Sequence, residues 1–157
     1  MPSILFVCTA NICRSPMAEA LFRARLQEKE QDWRSWQIES AGTWAAEGQP
    51  ASMDAQQTMQ KRGLDISNHR SRPVTHQLLD GFQLILTMEP GQKEGLQVEF
   101  PGCASKIYLL SEMNGESVTI RDPYGSSLQD YEATANEIDR RLINGMDRIL
   151  LLANSTL

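Results

Sequence analysis

Residues 4–8 form a short, almost uniformly apolar run, Ile-Leu-Phe-Val-Cys, close to the amino terminus. A strand in a parallel sheet reads this way, because helices cover both faces and neither side has to be polar. Ser15-Pro16 then predicts a helix start, with Pro16 at the first helical position, where a missing N–H costs nothing, and Glu19 in the first turn. Met17, Leu21 and Ala24 supply its apolar stripe. The alternation continues with a strand over 37–40, a helix from about 52 to 62 stopped by Gly63, and strands over 82–88 and 106–110. One long helix is predicted over 131–152, where Tyr131, Ala135, Ile138, Leu142 and Ile149 recur at helical spacing. Segments 41–51 and 90–105 contain Gly and Pro and read as loops.

Strands alternating with helices predict an α/β fold: a four-stranded parallel sheet with helices on both faces, in one domain over 1–157. Open sheets of this kind bind ligands outside the carboxyl ends of their strands. The first strand ends at Cys8, which makes the loop from Cys8 to Ser15 the place to look for chemistry.

Composition narrows the choices. The 157 residues are 41% hydrophobic and 22% charged, enough for a self-sufficient core. No stretch approaches a membrane span, and the opening residues lack the basic start and long apolar run of a signal peptide, so the expected compartment is the cytoplasm, with no membrane partner. A net charge of −5 argues against nucleic acid. Three cysteines, Cys8, Cys13 and Cys103, make no Cys-x-x-Cys pair, and the histidines are His69 and His76 alone. Neither a disulfide framework nor a metal site is indicated, and no cofactor is expected.

The first loop reads Cys8-Thr9-Ala10-Asn11-Ile12-Cys13-Arg14-Ser15-Pro16. A loop wrapped around a helix N-terminus aims backbone N–H groups at one point, where the helix dipole also favours negative charge. Arg14 adds a planar fork suited to two phosphate oxygens. The same field favours a thiolate at Cys8, a nucleophile placed under a bound phosphate. Taken by itself, a cysteine ending an apolar strand is a core residue; the Arg six positions on, at a helix start that it opposes electrostatically, turns the reading toward an anion site. Ser15 fits either a hydrogen bond to the thiolate or an ordinary N-cap. Asn11 tolerates the left-handed backbone that a tight wrap needs. Downstream, Asp122-Pro123-Tyr124-Gly125 suits a type I turn beginning at Asp122, and equally a carboxylic acid on a rigid turn that protonates a leaving oxygen.

Together the first loop, Ser40-Ala41-Gly42, His69-Arg70-Ser71-Arg72 and Asp122-Pro123-Tyr124 resemble the low molecular weight protein tyrosine phosphatase family over nearly the whole chain. The resemblance implies hydrolysis of phosphotyrosine and small aryl phosphates through a phosphocysteine on Cys8, with Asp122 as acid and then base, and no metal. Arg14 and the loop amides of Thr9, Ala10, Asn11, Ile12, Cys13 and Ser15 would hold the phosphoryl oxygens, and Ser15 would steady the departing thiolate. Asn11 would keep the loop's shape through Ser40 and His69, while Ile12, Trp44 and Tyr124 would line the substrate cleft. Cys13 matches a second loop cysteine that forms a reversible disulfide with the nucleophile under oxidation. Implied partners are tyrosine-phosphorylated proteins, a bacterial tyrosine kinase among them, met by a monomer. Ala10 departs from the family's usual Gly and fits only with a negative φ. Cys103 matches no functional position and reads as structural.

Three alternatives stand beside this reading. Arsenate reductases share the fold and loop but resemble chains with two further cysteines after the third strand, and 82–95 contains none. Protein arginine phosphatases typically carry Thr before the second loop cysteine, where this chain has the apolar Ile12. A phosphotyrosine-binding module without catalysis would hold its ligand and release no phosphate.

Overall fold

The computed structural model describes residues 1–154; residues 155–157 of the expected domain lie outside the described residues. Strands β1 (Ser3–Cys8), β2 (Gln37–Gly42), β3 (Leu84–Thr87) and β4 (Ile107–Leu109) form one all-parallel sheet in the order β2-β1-β3-β4. The chain leaves β1 toward β2 on one side and returns to β3 on the other, so the crevice opens at the carboxyl end of β1.

Alternate residues of β1 explain its uniform apolarity. Ile4, Phe6 and Cys8 join the larger core with Leu84 and Leu86, whereas Leu5 and Val7 point into a second core with Ile85, Leu96 and Ile107. The larger core is filled by helices α1 (Arg14–Lys29), α2 (Met53–Gln60), α5 (Leu128–Asn144) and α6 (Met146–Ala153). The short α3 (His76–Asp80) and α4 (Pro90–Glu99) supply the other face. Among the described residues no helix is long and apolar enough to cross a membrane.

Several expected boundaries change. Helix α1 opens at Arg14, so Pro16 is its third residue and Glu19 lies in the second turn, paired with Arg23 at 3.5 Å. Ala24 is only partly buried; Ala18, Phe22 and Leu26 join Met17 and Leu21 on the buried face. Strand β2 runs on to Gly42, while β3 and β4 are shorter than expected. Ser52 caps α2, accepting from the Ala55 amide at 3.2 Å, and Gly63 ends the following turn at φ 75°.

The segment expected as a loop over 90–105 is instead α4 followed by a 3-10 turn, Pro101–Lys106. Two glycines weaken that helix intrinsically, but Gln92 accepts from the Met88 and Glu89 amides at 3.0 Å each, and Leu96 is buried. The single helix expected over 131–152 is two. Its apolar stripe is buried throughout, yet the axis breaks at Gly145, where a Cβ would come within 2.6 Å of Met113 Cβ.

Candidate active site

Cys8 ends β1 and residues 9–13 wrap from it into α1. The wrap turns at Asn11, the one non-glycine residue with positive φ, 60°, among the described residues. Its side chain and carbonyl bind the loop to four residues of three segments. Asn11 Nδ2 donates to Ser15 Oγ at 2.8 Å and to Ser40 Oγ at 3.0 Å, Oδ1 accepts from the Arg72 amide at 3.0 Å, and the carbonyl accepts from His69 Nε2 at 2.6 Å. The last contact requires the proton on Nε2. Ser40 and His69, which the family resemblance implied as partners of Asn11, both bond to it, together with the Arg72 amide.

Ala10 has a negative φ, so the methyl that replaces the family's usual hydrogen is borne without left-handed strain. A different residue has to be glycine. At Gly42 a Cβ would collide with the Thr9 carbonyl oxygen and lie 2.8 Å from Ala45 Cβ, because the loop crosses directly over the end of β2. Thr9 is fixed from the other side by Gln92, whose Nε2 donates to Thr9 Oγ1 at 2.9 Å.

Ser15 Oγ lies 3.0 Å from Cys8 Sγ. It does not cap the helix: Cys13 precedes α1 without a side-chain cap bond, and Ser15 lies inside the first turn. Toward a thiolate, which has no proton to give, the hydroxyl can only donate. Its acceptor capacity already takes the Asn11 amide, so the donor is directed to the sulfur or, at 3.5 Å, to the Ala41 carbonyl.

Arg14 is 1% exposed. Nη1 donates to the Ile120 carbonyl at 2.8 Å and pairs with Glu89 at 2.7 Å, while Nη2 is 3.7 Å from Asp122 Oδ2. The conflict between a cation and the helix dipole is thus met in part by Glu89, not by an anion alone as the sequence suggested. Nε has no partner among the described residues. A buried guanidinium with an unbonded N–H beside uncapped helix amides is a ready seat for an oxyanion.

Cys8, Thr9, Ala10, Ile12, Cys13, Arg14, Asp122 and Tyr124 line one cavity of about 280 Å³. Asp122 is brought to the mouth by a turn that closes one residue later than expected, from Ser126 N–H to the Pro123 carbonyl, with Gly125 at φ 79°. Asp122 Oδ1 accepts from the Tyr124 amide at 3.0 Å, leaving Oδ2 toward Arg14. Tyr124 is 64% exposed at the rim. Trp44 does not line the cavity: its backbone N–H donates to the Thr9 carbonyl at 2.9 Å, but the residue is 85% exposed. Its sequence neighbours gave no sign of where the indole would point. Glu89 and Gln92 were missed as well; their only signal is position, at the carboxyl end of the third strand.

Cys13 faces different surroundings from Cys8. Its Sγ lies 3.2 Å from Tyr131 Oη and 3.5 Å from Ser52 Oγ, and burial pushes its thiol up despite those two hydrogen bonds. Among the described residues no cluster of His, Cys, Asp and Glu could hold a metal ion.

The assembly offers a nucleophile, a cationic oxyanion seat and a carboxylic acid around one cavity, the parts needed to move a phosphoryl group without a metal. Known proteins of similar sequence and fold identify the family. Residues 3–150 match the family model described as low molecular weight phosphotyrosine protein phosphatase. The chain is 37% identical over 150 residues to the probable low molecular weight protein-tyrosine-phosphatase EpsP of Ralstonia nicotianae, covering 96% of this chain and 97% of that protein. It is 35% identical over 137 residues to a protein-arginine-phosphatase of Geobacillus stearothermophilus, covering 87% and 88%. The crystal structure of the low molecular weight protein tyrosine phosphatase from T. tengcongensis superposes with a TM-score of 0.88 at 38% identity, covering 94% of this chain and 99% of that one. With the family model matched over residues 3–150 and relatives more than 30% identical over most of the chain, the chain belongs to the low molecular weight phosphotyrosine protein phosphatase family.

Proposed function

We propose that the protein hydrolyses phosphotyrosine in proteins, and small aryl phosphates, by two displacements at phosphorus. Cys8 Sγ attacks, the S–P bond forms as the O–P bond breaks, and Asp122 protonates the departing tyrosine oxygen. Water then attacks the phosphocysteine, Asp122 takes its proton, and the S–P bond breaks to release phosphate. The amides of Thr9 to Ser15 and the Arg14 guanidinium hold the phosphoryl oxygens, and the Ser15 hydroxyl steadies the leaving thiolate. The observation that carries this reading is the single cavity that holds Cys8, Arg14 and Asp122 together.

A second reading, release of phosphate from arginine, draws on the arginine phosphatase among the relatives. Ile12 favours tyrosine: it is half-buried in the cavity wall and presents an apolar side chain, which suits a flat ring and offers nothing to a guanidinium. Phosphate release from phosphotyrosine and phosphoarginine peptides, measured side by side without added metal on the native protein and Cys8→Ser, tests both. Release from phosphotyrosine that disappears in the variant supports the proposal; preference for phosphoarginine overturns it. Retained binding without any release would make the protein a sensing module.

All proposed site residues come from one chain, so a monomer suffices. Tyrosine-phosphorylated proteins are the substrates, a bacterial tyrosine kinase among them. Three free thiols suit a reducing compartment, and we infer the cytoplasm. Oxidation would join Cys8 to Cys13 reversibly, protecting the nucleophile from higher oxides; Cys13→Ser should then recover less activity with thiols after mild peroxide.

A further inference from the structure

Tyr131 Oη, Ser52 Oγ and Cys13 Sγ close a three-membered hydrogen-bond ring, with Ser52 Oγ to Tyr131 Oη at 3.1 Å completing the two contacts to sulfur. The phosphoryl steps above use neither hydroxyl. A core position on α5 is filled as well by phenylalanine, and a phenol buried to 1% exposure keeps its oxygen only by finding partners. Here the partners are a loop cysteine and a serine tied to the same loop, since the Ser52 amide donates to the Ile12 carbonyl at 2.9 Å.

We propose that Tyr131 and Ser52 are positioning residues for disulfide formation, two hydroxyls that hold the Cys13 sulfur and donate to it as it gives up its proton to attack oxidised Cys8. The proposal rests on the oxidation reading above. The groups facing Cys13 show why donors are needed. Burial, Cys8 and Asp122 all disfavour a negative sulfur, and Asp54 bears on Tyr131 from α2; the two hydroxyls oppose the effects on the sulfur and offset them in part. In the resting ring each group donates once, thiol to Ser52, Ser52 to Tyr131, Tyr131 to sulfur. Once the thiol proton is gone, Ser52 can turn its hydrogen to the sulfur and both hydroxyls stabilise it.

The chemistry balances with a hydroperoxide as oxidant. The Cys8 thiolate attacks the outer oxygen of ROOH, the S–O bond forms, the O–O bond breaks, and the alcohol ROH departs; protonation from water gives the sulfenic acid. Cys13 sulfur then attacks Cys8 sulfur, the S–S bond forms, the S–O bond breaks, and the hydroxide leaves with the Cys13 proton as water. Two thiols lose two electrons in all, and the hydroperoxide is reduced to alcohol and water.

The test follows three rates in the native protein and in Tyr131→Phe between pH 6 and 9: phosphate release before oxidation, capture of sulfenic acid at Cys8 by a trapping reagent after hydrogen peroxide, and appearance of the Cys8–Cys13 disulfide by mass spectrometry. Phosphate release should be unchanged, and more sulfenic acid should be captured, because its competing exit into the disulfide is slower. Disulfide formation should slow about tenfold near pH 7, as expected for loss of one hydrogen bond to a charged group, with its pH profile displaced upward. A native rate and profile in Tyr131→Phe would overturn the proposal. Should that variant fail to fold, Ser52→Ala carries the same expectation and the same refutation. Sulfenic acid that persists in the native protein without disulfide would overturn the oxidation reading, and this inference with it.

Discussion

Glu89 Oε2 lies 2.7 Å from Arg14 Nη1, tying the guanidinium that faces the cavity to the corner between β3 and α4. Glu89→Gln keeps the shape of this contact and removes its charge. The expected result is a fall in kcat/KM of about tenfold for any phosphate ester, with little change in folding stability, because Glu89 is partly exposed. Steady-state kinetics with urea unfolding of the same sample separates the two effects.

Asp122 serves a leaving group that needs a proton, so Asp122→Asn should lower kcat for phosphotyrosine by about 10²–10⁴. An aryl phosphate with a strongly acidic phenol should lose much less. Equal losses on both substrates would remove Asp122 from the acid role.

Asn11 combines a left-handed backbone with bonds to Ser15, Ser40, His69 and Arg72. Asn11→Ala should cost roughly 2–4 kcal/mol, from the backbone preference and the stranded partners together. Asn11→Gly relieves the backbone part only and should recover about 1 kcal/mol of that loss in denaturant titrations, with activity still impaired.

Cys13 and Tyr131 set an alkaline limit. Both are pushed up, chiefly by burial, so the folded protein keeps their protons where an unfolded chain releases them, from about pH 9.0 for the thiol and 10.0 for the phenol. Their contribution is whole below those values and drains away as pH rises toward the folded ones, by at most about 1.4 kcal/mol per pH unit for each group. Urea midpoints between pH 8 and 10.5 should decline less steeply in Cys13→Ser than in the native protein.

How much of this was legible follows from physical reach. Strand β1 and the stripe of α5 declare themselves because burial on every side leaves a periodic apolar record. Helix α4 did not, since two glycines and a proline outweigh one buried Leu in any local reading, and its start is fixed by Gln92 bonding to amides behind it. The break at Gly145 leaves no gap in the apolar spacing; it answers to Met113, a residue from another segment. Within the site, the loop chemistry of Cys8 and Arg14 is local and readable. Glu89 is not, and Asp122 gained its place beside Arg14 in the sequence only through the family pattern. Trp44 fails for the opposite reason: its backbone is anchored and its ring is free to face solvent.

The anchoring of Asn11 by segments scattered from Ser15 to Arg72 also says what would happen to the nine residues from Cys8 to Pro16 transplanted alone onto a foreign strand and helix. They would carry the nucleophile and the guanidinium but lose the frame that bends them around an anion. Turnover therefore doubles as a gauge of assembly: heat or denaturant should extinguish it in step with the loss of the sheet.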